Sequence, residues 1–140
     1  MQNLALGPET RSVATRMEHV HVGVSSIERS VDWYRKAFDF QVRYDETGPW
    51  GRTVHVGTDS FYIAMTENPG LRPSAPSSTA RIYHFGFTIA DMPSFVRRLE
   101  AAGIPIQARA DRKEGPAVYL SDPDGHEIEV VAYKAEYAYR

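Results

Sequence analysis

The chain says nearly the same thing twice, and that repetition limits what it can become. In the first run, residues 17–24 alternate: Glu18, Val20, Val22 and Val24 fall on one face, His19, His21 and Gly23 on the other. Alternate residues of a strand share a face, so this is a strand with one apolar and one histidine-bearing side. Ser25-Ser26-Ile27-Glu28 predicts a capping box with Ser25 at the N-cap. Ile27, Val31, Tyr34 and Phe38 then recur at helical spacing, which predicts a helix to Phe38. Strands at 40–45, 52–56 and 61–66 follow, separated by glycine-rich turns. At residue 82 the order restarts. A strand over 82–89 carries His84, Gly86 and Thr88 on one face and Tyr83, Phe85 and Phe87 on the other, toward a core. Asp91 caps a helix with Phe95, Val96, Leu99 and Ala102 as its apolar stripe and Gly103 as its C-cap, and strands at 104–108, 117–121 and 127–133 complete the second run.

Each half is therefore strand, helix, strand, strand, strand, with His19 and His84 in the same register, five residues before Val24 and Ile89. The expected class is α+β: two βαβββ modules forming a curved, partly open mixed sheet around a cavity, with the helices outside. Module 1 spans about 17–66 and module 2 about 81–134 of a single domain, 17–140, joined by a proline- and serine-rich loop at 67–80. Residues 1–16 lack periodicity and read as an extension or docking arm.

Composition closes off several functions. The net charge of −2 with mixed signs gives no electrostatic footprint for nucleic acid or an anionic membrane. The absence of cysteine excludes disulfides, thiolate ligands and a cysteine nucleophile. No apolar run approaches the roughly 20 residues of a membrane span, and residues 1–16 lack the apolar core of a signal peptide, so a cytoplasmic location is the default expectation.

The stretch 118–131 reads as strand, Asp-Pro-Asp-Gly turn, strand, and its second strand carries Glu127 and Glu129 on one face. A carboxylate at Glu129, between Ile128 and Val130, is costly unless something positive meets it. The repeat suggests what: equivalent positions of two halves face each other, so His19 and His84 approach, and the last strand adds Glu129. Two imidazoles and a carboxylate suit a divalent ion such as Fe(II), Mn(II), Ni(II), Co(II) or Zn(II), with positions left for water or substrate. Glu127, two residues earlier on the same face, is the alternative should the register slip.

These residues resemble a known family. His-Val-His-Val-Gly-Val-Ser-Ser at 19–26, Trp-Tyr-Arg-Lys-Ala-Phe at 33–38, His-Phe-Gly-Phe at 84–87 and Tyr-Leu-Ser-Asp-Pro-Asp-Gly-His-Glu-Ile-Glu at 119–129 are similar to the vicinal oxygen chelate superfamily. That superfamily includes glyoxalase I, methylmalonyl-CoA epimerase, fosfomycin-resistance thiol transferases, type I extradiol dioxygenases and bleomycin-binding proteins. The resemblance implies metal ligands at His19, His84 and Glu129, and an enzyme of dioxygenase, lyase or transferase type acting on a small molecule, often as a homodimer. Ala64 stands where a fourth ligand of the glyoxalase pattern would be, so the implied set is three. Tyr119 matches a site tyrosine of the thiol transferases and dioxygenases. No serine lies between Lys113 and Ala117 to serve the potassium loop of the thiol transferases, and a substrate other than fosfomycin is expected. The rival expectation is a drug- or metabolite-sequestering protein of the bleomycin-resistance type.

Around the three ligands stand further candidates. His21 shares a strand face with His19 and is either a proton-transfer group or a hydrogen-bonded cavity liner. Tyr119 is a substrate hydrogen-bonder or acid, with a core position as its alternative. Tyr62, on the face of Ala64, lines the pocket, and His55 lines it or lies on an exposed face. Arg109 and Arg112 are candidates for an anionic substrate group, with simple solvation as the alternative.

Overall fold

The structure, a computed structural model, describes Val13 and residues 16–72 and 80–137. The proposed N-terminal arm and the middle of the 67–80 loop therefore lie largely outside the described residues. The element order is β1 (His19–Val24), α1 (Ile27–Phe38), β2 (Gln41–Gly48), β3 (Gly51–Gly57), β4 (Tyr62–Glu67), β5 (Phe85–Thr88), α2 (Met92–Ala102), β6 (Ala108–Arg112), β7 (Gly115–Ser121) and β8 (Glu127–Val131), followed by a short 3₁₀ turn. The expected repeat is present. Its eight strands form two four-stranded sheets, ordered β1-β4-β3-β2 and β5-β8-β7-β6. In each, the first strand runs parallel to the last and the remaining pairs are antiparallel.

Both helices have the ends their sequences call for, with one adjustment. The N-cap of α1 is Ser26, not Ser25: the Ser26 hydroxyl accepts from the Arg29 amide at 3.3 Å. Ser25 is drawn away, its amide donating to Asp124 Oδ2 at 3.1 Å across the molecule. Helix α1 ends at Asp39 in the left-handed region, whose amide donates to the Arg35 carbonyl at 2.8 Å. Helix α2 starts after Asp91 and stops at Gly103, also left-handed, as expected.

Strand alternation then decides what is covered. Val22, Val24, Val54, Val56, Ile63 and Met65 are buried under Ile27, Tyr34 and Ala37 of α1; Val118, Leu120, Ile128 and Val130 share the same core with Phe95 and Leu99 of α2. Each large apolar side chain so enclosed contributes about 1.5–3 kcal/mol. Between the modules the core is aromatic. Phe38 stacks on Phe40 with centroids 5.0 Å apart and on Phe95 at 5.5 Å, and Phe87 meets Phe38, Phe40 and Phe61 at 5.0–5.2 Å. The helices themselves meet where Arg98 of α2 donates to the carbonyls of Arg35 and Lys36.

Two strands differ from the sequence expectation. β6 occupies 108–112 rather than 104–108. Ile104 is buried in the connection after α2, while Ala108–Arg112 is an outer strand with little burial on either face, so it has no apolar alternation to advertise it. β5 begins at Phe85, and Tyr83 lies outside it, exposed, with the Arg81 guanidinium 4.9 Å above its ring rather than in the core.

Candidate functional site

The face of each sheet away from the core carries the polar candidates, and strand registry sets them in rows. In the first sheet His21 pairs with Ala64 and Ala64 with His55; in the second Gly86 pairs with Glu129 and Glu129 with Tyr119. The repeat thus equates Ala64 with Glu129 and His55 with Tyr119, as the sequence reading of Ala64 requires. Gly86 has a local reason to be small: a Cβ there would sit 3.0 Å from the Glu129 carbonyl oxygen.

Glu129 has its positive neighbours. His84 Nε2 lies 3.1 Å from its Oε2, and Arg112 Nη1 donates to its Oε1 at 2.7 Å. The Tyr119 hydroxyl donates to the same Oε1 at 3.3 Å and accepts from Arg112 Nη2. The carboxylate in turn raises the Arg112 pKa through that hydrogen bond. Arg112 was one of two arginines the sequence offered. The other, Arg109, pairs with Val118, and Val118 with Val130, so its register puts it on the core side of the sheet, away from Tyr119 and Glu129.

The first sheet holds the other candidates in a column of rings. His19 stacks on Tyr62 at 4.9 Å and 6°, Tyr62 on His55 at 4.2 Å and 14°, and His55 on Tyr44 at 4.6 Å and 26°. One ring comes from each of β1, β4, β3 and β2. Glu18 locks the near end: its Oε1 lies 3.1 Å from His19 Nδ1 and accepts from the Tyr62 hydroxyl at 3.0 Å. Those two hydrogen bonds hold the Glu18 carboxyl below the usual carboxylate range. Burial, and then the neighbouring His19 and His21, hold the His55 imidazole below its ordinary value. His21 Nε2 is 2.8 Å from the Thr66 hydroxyl, which continues to Thr53.

The structure therefore joins His84, Glu129, Tyr119 and Arg112 in one module and His19, Tyr62, His55 and His21 in the other. His19 and His84 border one largely apolar cavity of about 820 Å³, together with Phe38, Phe61 and Phe87. Among the described residues, no three histidine, aspartate or glutamate side chains stand close enough to hold one ion. The implied ligands form two half-sites: a His84–Glu129 pair and a separate His19 whose Nδ1 is occupied. Arg112 as the partner of Glu129, and Glu18 as the brace of His19, were not expected. The charge of Glu18 beside a candidate ligand was the one available signal.

Comparison with known proteins decides the family. The model of the Glyoxalase/Bleomycin resistance protein/Dioxygenase superfamily matches residues 16–130. The chain belongs to that superfamily. Its relatives include glutathione transferase FosA of Serratia marcescens, 24% identical over 116 residues, covering 81% of this chain and 78% of the relative. Catechol-2,3-dioxygenase of Bacillus subtilis (strain 168) is 31% identical over 128 residues; the match covers 82% of this chain but only 42% of the dioxygenase. Among solved structures, the fosfomycin resistance protein FosX of Listeria monocytogenes superposes with a TM-score of 0.70 at 19% identity, covering 89% of this chain and 96% of that one. TnmS3, an antibiotic binding protein from Streptomyces sp. CB03234, gives a TM-score of 0.69 at 20% identity, covering 89% and 100%. The relatives and structural neighbours thus include a transferase, a dioxygenase and a binder, and the reaction must be argued from the site.

Proposed function

We propose that the chain is a divalent-metal-dependent enzyme of the superfamily acting on a small, oxygen-rich chelating molecule. The metal would be held by His84 and Glu129 of one copy and His19 of a second. The observation that carries this reading is the pairing of His84 Nε2 with Glu129 Oε2 at 3.1 Å on the open face of the second sheet. A nitrogen and a carboxylate oxygen side by side are two adjacent donors for a first-row divalent ion. His19 fits as the third: with Nδ1 beside Glu18, its Nε2 is the nitrogen left for a ligand, a carboxylate–histidine arrangement that also orients the ring.

A second copy is the source of the missing partner because both first strands, β1 and β5, end their sheets. The apolar side chains just before them, Met17 and Ile82, are 82% and 74% exposed and border the cavity between the modules. A second copy laid along these edges would cover those side chains and bring a His19 to each His84–Glu129 pair.

A divalent ion at this place would supply Lewis acidity to the oxygens of a chelating substrate. The chain's own residues do the rest. Tyr119, beside Glu129, holds or moves a proton at the reacting oxygen. Tyr62 and His55 stand beside His19 on the polar face of the first sheet, and His21, held by Thr66, shares that face; the sequence reading put these side chains in the pocket, but none of the three borders the cavity between the modules. The relatives' names support transferase or dioxygenase chemistry. The binding protein TnmS3 supports the rival reading, capture of a ligand without turnover.

Metal analysis of anaerobically prepared protein, followed by oxygen uptake with catechols, tests the proposal. Iron with oxygen consumption selects a dioxygenase. Zinc, nickel or manganese without it selects a lyase, isomerase or transferase. Protein that takes up none of these ions, yet binds an aromatic ligand, would replace this reading with sequestration.

A further inference from the structure

Arg112 ends β6, the outer strand of the second sheet, yet its guanidinium does not stay at the edge. It passes beside the Tyr119 ring, 5.9 Å from the centroid, and reaches Glu129 on β8, two strands away. The two oxygens of Glu129 are thereby divided. Oε2 faces His84, while Oε1 receives two donors at once, Arg112 Nη1 at 2.7 Å and the Tyr119 hydroxyl at 3.3 Å. Oε1 marks a seat for an oxyanion, framed by a guanidinium and a phenol.

We propose that Arg112 reads the substrate: when a divalent ion takes the His84–Glu129 pair, the seat at Oε1 passes to an anionic group of the ligand. The substrate is then an oxygen chelator bearing its own negative charge, a carboxylate, phosphonate or phosphate close to the chelating oxygens. This rests on the metal reading given above.

Charge balance carries the argument. Without an ion, Arg112 and Glu129 neutralise each other. A divalent ion on the same carboxylate adds two positive charges beside the guanidinium, and the cations then compete for one carboxylate. Glu18, behind His19, offsets one of those charges in the assembled site, and one remains. Glu127 shares the strand face and borders a second pocket with Tyr119, Ser121 and Gly125, outside the cavity that His84 borders. The bordering cavity is walled by Phe38, Phe61 and Phe87, which do not screen a cation. An anionic ligand group supplies the missing charge and finds two donors already aimed at it. Arg112 is 41% exposed, so it reaches this position without being needed to fill the core.

The experiment compares two chelators with the same head, acetohydroxamate and its carboxylate-bearing counterpart malonohydroxamate. Each is titrated into wild-type protein, R112M and R112K, all loaded with Mn(II), with Mn(II) affinity measured first by magnetic resonance. Wild type is expected to prefer malonohydroxamate by about tenfold or more, the size of a charged hydrogen bond. R112M loses that preference while binding acetohydroxamate and Mn(II) at least as well as wild type, and R112K keeps part of it. No preference in wild type, or an undiminished one in R112M, overturns the proposal while leaving the metal reading standing. Failure of wild type to take up Mn(II) removes the metal reading, and this proposal with it.

Discussion

Tyr34, on α1 of the first module, donates its hydroxyl hydrogen to Asp122 in the β7–β8 turn of the second, at 2.8 Å. Both side chains are buried. Burial and the Asp122 carboxylate hold the Tyr34 hydroxyl well above its ordinary pKa, so it remains a donor at any working pH. Asp122 also accepts from the amides of Asp124 and His126 and faces His126 Nδ1 at 2.7 Å. The turn that shapes the last hairpin is thus fastened to the other half of the chain. Tyr34→Phe removes one donor from a buried carboxylate and is expected to cost about 1.5–3 kcal/mol, read as a lower urea midpoint. An unchanged midpoint would show that the modules do not depend on this bond.

His126 makes stability depend on pH. Its hydrogen bond to Asp122 raises its pKa above the ordinary imidazole value, against the opposing effect of burial. A pKa raised by folding means that protonation favours the folded state. The contribution is complete below the unfolded value, near 6.5, and disappears as pH rises through the folded value. Melting temperature should therefore fall as the buffer moves from mildly acidic to mildly alkaline, and His126→Gln should flatten that slope. A slope that survives the substitution assigns it to another group.

The site shared between copies predicts complementation. His19→Ala and Glu129→Gln each remove one half-site and should leave purified protein without bound metal. Co-expressed, they form hybrid dimers in which one site regains all its ligands, so occupancy returns to about a quarter of wild type under random pairing. Elemental analysis of the mixture decides it; no recovery means that the three ligands do not come from two chains.

Gly115 opens β7 opposite Arg112, with φ at +143°. A Cβ there would stand 2.1 Å from the Ala132 carbonyl oxygen, a backbone atom that cannot swing aside. Gly115→Ala should cost about 1–3 kcal/mol in backbone strain alone and shift the hairpin that carries Arg112. Thermal unfolding measures the first effect. Loss of the malonohydroxamate preference in the folded variant measures the second.

What could be read from the residues follows what each signal depends on. Helices α1 and α2, the Asp-Pro-Asp-Gly turn and the histidine face of β1 rest on local periodicity and turn chemistry, and they stand as expected, whereas His84 lies just before β5 rather than within it. β6 was displaced because an outer strand bearing Arg109, Asp111 and Arg112 has no buried face to betray its register. Its register then puts Arg112 on the face of Tyr119 and Arg109 on the opposite one, a choice the sequence reading had not made. The N-cap moved from Ser25 to Ser26 because Asp124, distant in sequence, draws the Ser25 amide. The need of Glu129 for a positive partner was legible; that a guanidinium supplies it within the chain was not, since that contact spans two strands.

The ring column has a further bearing on how such a chain can change. His19 leans on Tyr62, Tyr62 on His55, and His55 on Tyr44 at the far strand. A substitution at Tyr44 would tilt the candidate ligand through two intermediaries without touching it. Tuning can thus be inherited from the rim inward, while the donor atoms keep their chemistry.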